Sequence, residues 1–175
     1  MDENGKISDD WQDRLYDLLR RHGVTQFAYV PDAGHRVLIE RALADPAAQA
    51  VALTTEEEGV ALLAGADLGG AKSVLLLQSS GVGNCINMLS LIKGGHFPFL
   101  ALVSMRGDFG EGNPWQFPMG EAVAPVLQAM GVVCLRVEEA EEVVPTAEAA
   151  LTMAFQGGRA VAVLLTQKLI GAKQF

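Results

Sequence analysis

At 175 residues the chain is long enough for one domain with a substantial core, and half of its residues are hydrophobic while only 19% are charged. That balance fits a sheet buried on both faces or a large surface meant for a partner. It excludes a membrane span, because stretches such as 160–165 and 97–105 fall well short of the roughly 20 apolar residues a span needs; the net charge of −8, with no basic cluster, excludes a phosphate-neutralising nucleic-acid surface.

Residues 1–10 are polar and acidic, with no apolar stretch of the signal-peptide kind, and are expected to be disordered in a cytoplasmic protein. From Trp11 the recurrence of Leu15, Leu18 and Leu19 predicts a helix that Gly23 stops from a C-cap position. Residues 27–30 predict a strand ended by Pro31, 35–43 a helix closed before Pro46, and 50–54 a second strand. The small, apolar segment 59–68 suits a helix packed tightly on a sheet. A strand over 73–77 leads into a Ser/Gly loop and an amphipathic helix over about 84–92, and 99–104 is the next strand. Residues 106–119 predict a long loop, with four glycines or prolines before Phe117, and so a candidate functional loop. A helix over 120–130, a strand over 132–137, a helix over 140–155 and a strand over 160–165 complete the chain. Continuous apolar strands alternating with helices predict an α/β fold: one doubly wound domain, 11–175, with a parallel sheet covered on both faces.

Ligands of such sheets bind beyond the carboxyl ends of the strands, so the residues that follow each strand carry the functional information. Those are Asp32, the run Glu56-Glu57-Glu58, the segment Gln78-Ser79-Ser80-Gly81 reaching to Asn84, and Arg106. Acidic residues opening a helix are favoured by its dipole, by roughly 0.3–1 kcal/mol each, which is a sufficient structural reason for two of the three glutamates; a carboxylate held along a partly dry rim would instead suit proton work. The Gly-rich segment lacks the patterns of phosphate-binding loops and reads as a tight turn with Ser and Asn capping. Arg106 fits either a planar anion or a salt bridge to Asp108 or Glu111. His35 lies near the first rim loop, where it can meet a substrate or simply start a helix, and Met119 with the Trp115–Phe117 pair is expected to pack the long loop. The three histidines and the lone thiols Cys85 and Cys134 have no metal-ligand spacing, so no metal site is expected on this chain.

Taken in order, Val30-Pro31-Asp32, the run from Glu56 through Ala64-Gly65-Ala66, Gln78 to Asn84 with Asn87 and Ser90-Leu91, and Arg106-Gly107 with Glu111, Pro114, Gln116 and Pro118-Met119-Gly120 resemble the alpha subunits of sulfopyruvate decarboxylases. Phosphonopyruvate decarboxylases share the first three blocks. The resemblance runs over about 11–165 and implies a thiamine-diphosphate (ThDP) enzyme of the pyrimidine-binding type, a carboxy-lyase acting on a 2-oxo acid. It implies that one glutamate hydrogen-bonds the aminopyrimidine and so prepares the cofactor for proton removal. Counting back from Ala64-Gly65 lands on Glu56, with Glu57 next and Glu58 also open. Asp32, Gln78, Ser79, Ser80, Gly81 and Asn84 would lie beside the cofactor, and Asp32, His35 and Arg106 beside the substrate. The chain has no Gly-Asp-Gly segment. The resemblance therefore implies that the diphosphate and its Mg²⁺ are held by a separate beta subunit in an α/β hetero-oligomer. The competing readings are a phosphonopyruvate decarboxylase subunit and a domain of this type that has lost catalysis and serves as a binding module.

Overall fold

In the computed structural model, residues 11–172 are described; the expectation of disorder for 1–10 lies outside them. Six strands form one parallel sheet: β1 (Val24–Tyr29), β2 (Gln49–Ala52), β3 (Lys72–Gln78), β4 (Phe99–Ser104), β5 (Val133–Val137) and β6 (Ala160–Leu165), in the order β2-β1-β3-β4-β6-β5. Helices α1 (Trp11–Arg21), α2 (Arg36–Ala44) and α7 (Ala140–Phe155) cover one face. The other carries α3 (Glu56–Leu68), α4 (Ser79–Cys85), α5 (Leu89–Gly95) and α6 (Phe117–Ala129). A last short helix, α8 (Gln167–Ile170), follows β6.

The apolar strands are buried on both sides, as parallel sheets require. In β3, Val74 and Leu76 join the core under α1, α2 and α7, while Leu75 and Leu77 join the core under α3 to α6. This is the two-residue period of a strand, with both faces dry. Tyr16 stacks on Phe27 in the first core, with ring centroids 5.3 Å apart. Gly23 takes the positive φ of +80° that a helix-ending turn demands.

Two departures from the sequence reading matter for the site. The expected Ser/Gly loop after β3 is helical from Ser79, directly at the strand end, and residues 86–88 form a turn before α5. Gly81 and Gly83 are poor helix formers, but at Gly81 the lack of a side chain lets α4 pack closely on Glu56 of α3, and the packing of α4 outweighs propensity. Helix α6 begins at Phe117, three residues earlier than expected, with a proline in its first turn, where no backbone donor is missed; α3 begins at Glu56, so the three glutamates open it as read from the sequence.

Strand β1 lies between β2 and β3, so the chain leaves it in one direction and returns on the other. This switch point opens a crevice at the carboxyl ends of β1 and β3. Among the described residues, no helix is long and apolar enough to cross a membrane.

Candidate active site

Asp32 follows β1 in extended conformation and ties three strand ends together. Its Oδ2 accepts hydrogen bonds from Gly34 N at 3.0 Å and Ser104 Oγ at 2.5 Å, and its Oδ1 accepts a longer one from Gln78 Nε2 at 3.4 Å. Gly34 is obligatory: a Cβ there would lie 2.6 Å from Ser104 Cβ. Ser80 Oγ donates to Gln78 Oε1 at 2.7 Å, which extends the chain of contacts from β4 across β1 and β3 to α4.

The three adjacent glutamates separate into three situations. Glu58, exposed, folds back so that Thr54 N donates to its Oε2 at 2.8 Å, a helix-start contact. Glu57 is half-buried, and its Oε2 is shielded from solvent with no hydrogen-bond partner among the described residues. Glu56 reaches across to α4, where Asn84 Nδ2 donates to its Oε2 at 2.8 Å. Its carboxylate lies over Gly81 so closely that a Cβ there would be 2.2 Å from Oε1. Burial, then the carboxylates of Glu56 and Glu57, push the Cys85 thiol up to about 12, so it is an inert neighbour and not a nucleophile.

Beyond β4, Ser79 is buried and bonds both ways with the Arg106 backbone: Arg106 N donates to its Oγ at 3.0 Å, and the hydroxyl donates to Arg106 O at 3.3 Å. The Arg106 guanidinium grips Glu111, Nη2 to Oε1 at 2.8 Å and Nε to Oε2. That pair, first among its causes, holds the Glu111 carboxyl down at about 2. Of the two readings of Arg106, the salt bridge to Glu111 is the one the structure contains. The side chain also lines a cleft of about 120 Å³ with Asp32, Gly34, Ser104 and Gly171.

One choice is resolved and one expectation corrected. Of the two readings of His35, the helix start is the one the structure contains: it directly precedes α2, is fully buried, has its Nε2 3.2 Å from Leu77 O, and has its pKa lowered by burial. The ring lies beneath the strand ends, where burial favours its uncharged form. Trp115 and Phe117 do not pack the long loop, being 84% and 40% exposed, and Phe109 beside them is 58% exposed. Met119 does pack, with its sulfur over Gly83.

The sequence reading missed Gln167. It is 1% exposed, and its Oε1 accepts from Asp108 N at 3.1 Å and Phe109 N at 3.3 Å, while its Nε2 donates to Glu111 Oε2 at 2.9 Å. Its position just beyond β6 is the signal that would have found it. The rim therefore forms two groups, Asp32–Gln78–Ser104–Arg106 and Glu56–Gly81–Asn84, joined through the start of α4.

No protein-family profile matches the chain. It is 36% identical over 124 residues to sulfopyruvate decarboxylase subunit alpha of Methanothermobacter thermautotrophicus, covering 70% of this chain and 75% of that one. Sulfopyruvate decarboxylase of Methanosarcina acetivorans is 30% identical over 93% of this chain but only 42% of its own length. A phosphonopyruvate decarboxylase of Streptomyces viridochromogenes is 37% identical over 60% of this chain and 27% of its own. In fold, the chain matches 2-oxoglutarate:ferredoxin oxidoreductase from Magnetococcus marinus with a TM-score of 0.74 at 18% identity, over 91% of this chain and 29% of that one.

Proposed function

The chain belongs to the family of sulfopyruvate decarboxylase alpha subunits, and on that premise we propose that it is the pyrimidine-binding half of a ThDP-dependent carboxy-lyase. Its substrate is a 2-oxo acid with an anionic tail, 3-sulfopyruvate, which loses carbon dioxide to give sulfoacetaldehyde.

The observation that carries the reading is the seat of Glu56. One carboxylate oxygen is fixed by Asn84, and the other lies over Gly81 without a hydrogen bond among the described residues. An oriented, half-exposed carboxylate at the rim fits an aminopyrimidine ring that must be held and deprotonated. When bound, ThDP supplies the electron sink for the departing carboxylate. Glu56 would accept the hydrogen bond from the ring, and Asn84 would keep the carboxylate aimed. Gln78 to Gly81 would pack beside the ring, and Asp32, fixed by Ser104 and Gly34, would face the reacting carbon. Because Arg106 is committed to Glu111, the anionic tail would be held largely by the partner.

That partner is a beta subunit carrying the diphosphate and Mg²⁺. The absence of Gly-Asp-Gly from this sequence supports the assignment. So does the longer Methanosarcina relative, which has room for a second such part within one polypeptide. The test is to combine the chain with its beta subunit, ThDP and Mg²⁺ and to measure carbon dioxide released from sulfopyruvate and phosphonopyruvate, separately and in competition. Sulfopyruvate turns over preferentially, and Glu56→Gln lowers the rate by about 10²–10⁴, the usual worth of a positioned proton-transfer group. No release from either acid by a stable complex would refute the proposal, and a complex that retains no ThDP would favour the binding-module reading.

A further inference from the structure

At the opposite edge of the sheet, where the chain enters β4, β5 and β6, a cavity of about 260 Å³ lies between the end of α5 and the segments that precede those strands. Its inner wall is apolar, with Leu89, Ile92 and Val132 buried and Met130 half-buried. Three exposed basic residues, Lys93, His96 and Arg159, line it on the solvent side, and none of its lining residues is acidic. In a chain of 21 acidic against 13 basic residues this is a local inversion of sign. No hydrogen bond or ion pair of these three side chains is present among the described residues.

The backbone adds an independent observation. His96 has φ +56°, the only positive φ of a non-glycine residue among those described. It closes α5 with its N–H on Ile92 O, in the left-handed conformation where glycine is the ordinary choice. Two glycines stand immediately before it, yet this strained position carries an imidazole that lines the cavity. Cations near helix C-termini are favoured by the dipole, which accounts for Lys93 in the last turn of α5. It does not account for Arg159, which lies outside any helix, nor for a side chain at position 96.

We propose that this cavity binds an amphipathic organic anion: a ring-sized apolar body against Leu89, Ile92, Met130 and Val132, with a carboxylate, sulfonate or phosphate between Lys93, His96 and Arg159. The volume suits a small ligand, and an apolar pocket with a few convergent polar groups is the usual form of such a site. The site shares no lining residue with the rim cleft and lies at the opposite ends of the strands.

The probe is 8-anilinonaphthalene-1-sulfonate, titrated by fluorescence into the full chain, with uncharged N-phenyl-1-naphthylamine, the same ring system without the sulfonate, as the control. The sulfonate binds one saturable site more tightly than the neutral dye, and Lys93→Gln with Arg159→Gln weakens it at least tenfold while leaving the neutral dye unchanged. His96→Gly raises the melting temperature by relieving the left-handed strain and at the same time weakens sulfonate binding, two effects that a purely structural histidine would not combine. Trp115→Ala, which removes the main exposed aromatic elsewhere, leaves the affinity unchanged. Wild-type sulfonate affinity in the Lys93/Arg159 double variant, or equal affinity for the two dyes in the wild-type chain, overturns the proposal.

Discussion

Replacing Gly81 with alanine separates the stability of the rim from its chemistry. A Cβ at that position would lie 2.2 Å from Glu56 Oε1, 2.4 Å from its Cδ and 2.5 Å from its Cγ. These atoms are the far end of a flexible side chain, so the clash is relieved when Glu56 swings away, with no movement of the backbone. Alanine is favoured over glycine within a helix by about 0.8–1 kcal/mol. Losing the solvent-facing hydrogen bond from Asn84 costs about 0.5–1.5 kcal/mol. The two nearly cancel, and at roughly 2–4 °C per kcal/mol for a domain of this size the melting temperature should move by only a few degrees. The rate of carbon dioxide release should fall by about 10²–10⁴, or about 2.7–5.4 kcal/mol in the barrier, because the carboxylate has lost its seat. Gly83→Ala is the control: a Cβ there meets only Met119, its sulfur at 3.4 Å, so rate and fold should both be kept. The measurements are thermal melting of the chain alone and carbon dioxide release with the beta subunit, ThDP and Mg²⁺. An unchanged rate for Gly81→Ala, with melting also unchanged, would refute the argument that this close approach holds the carboxylate proposed to contact the cofactor.

The Glu111 carboxyl is held at about 2, below its ordinary 4.5, chiefly by Arg106. Its contribution to stability is therefore complete above about pH 4.5 and is lost as the pH falls toward 2. Glu111→Gln should melt lower at neutral pH and lose less stability than the wild-type chain across that interval; parallel curves would dismiss the pairing as a determinant of loop stability. Trp115→Ala should leave the melting of the isolated chain within about 0.5 kcal/mol, since an 84% exposed side chain supports little of the core. In titrations with the beta subunit the same change should weaken assembly by about 2 kcal/mol, as for an aromatic anchor at an interface, and unaltered affinity would place the contact elsewhere.

The parallel α/β architecture was legible because it rests on period and on apolar runs. Helix 140–155 and strand 160–165 agree to the residue with α7 and β6. The helix through Ser79 to Cys85 was not legible, since Ser-Ser-Gly-Val-Gly-Asn reads locally as a turn and becomes helical only through contacts made elsewhere in the chain. Which of its two readings held for His35 was hidden for a related reason: proximity to a rim loop in sequence says nothing about side-chain direction, and its ring points down onto the carbonyl of Leu77, 42 residues away. Trp115 and Phe117 failed the other way, because aromatic residues in a loop normally pack it, and here the Glu111–Gln167 contacts hold the loop without them. Gln167 needed no structure to find. The rule that singled out Asp32, Gln78 and Arg106, applied to the end of β6, reaches it directly.

The three glutamates mark the boundary between what a sequence states and what a fold adds. Consecutive residues on a helix point about 100° apart, so Glu56, Glu57 and Glu58 must face three directions, and this much follows from helix geometry alone. Which direction meets which neighbour depends on where α4 lies. Gly81 and Asn84, 25 and 28 residues downstream, make the seat for Glu56, while Glu58 finds the backbone of Thr54 beside it. Glu57 finds no partner among the described residues, and its buried, unsatisfied oxygen carries a desolvation cost of about 1–3 kcal/mol. A fold tolerates such a cost where something else will meet the group. The Glu57 oxygen leaves an acceptor uncompensated at the rim, beside the solvent-reached oxygen of Glu56, at the place where the proposed cofactor and its partner subunit would supply donors.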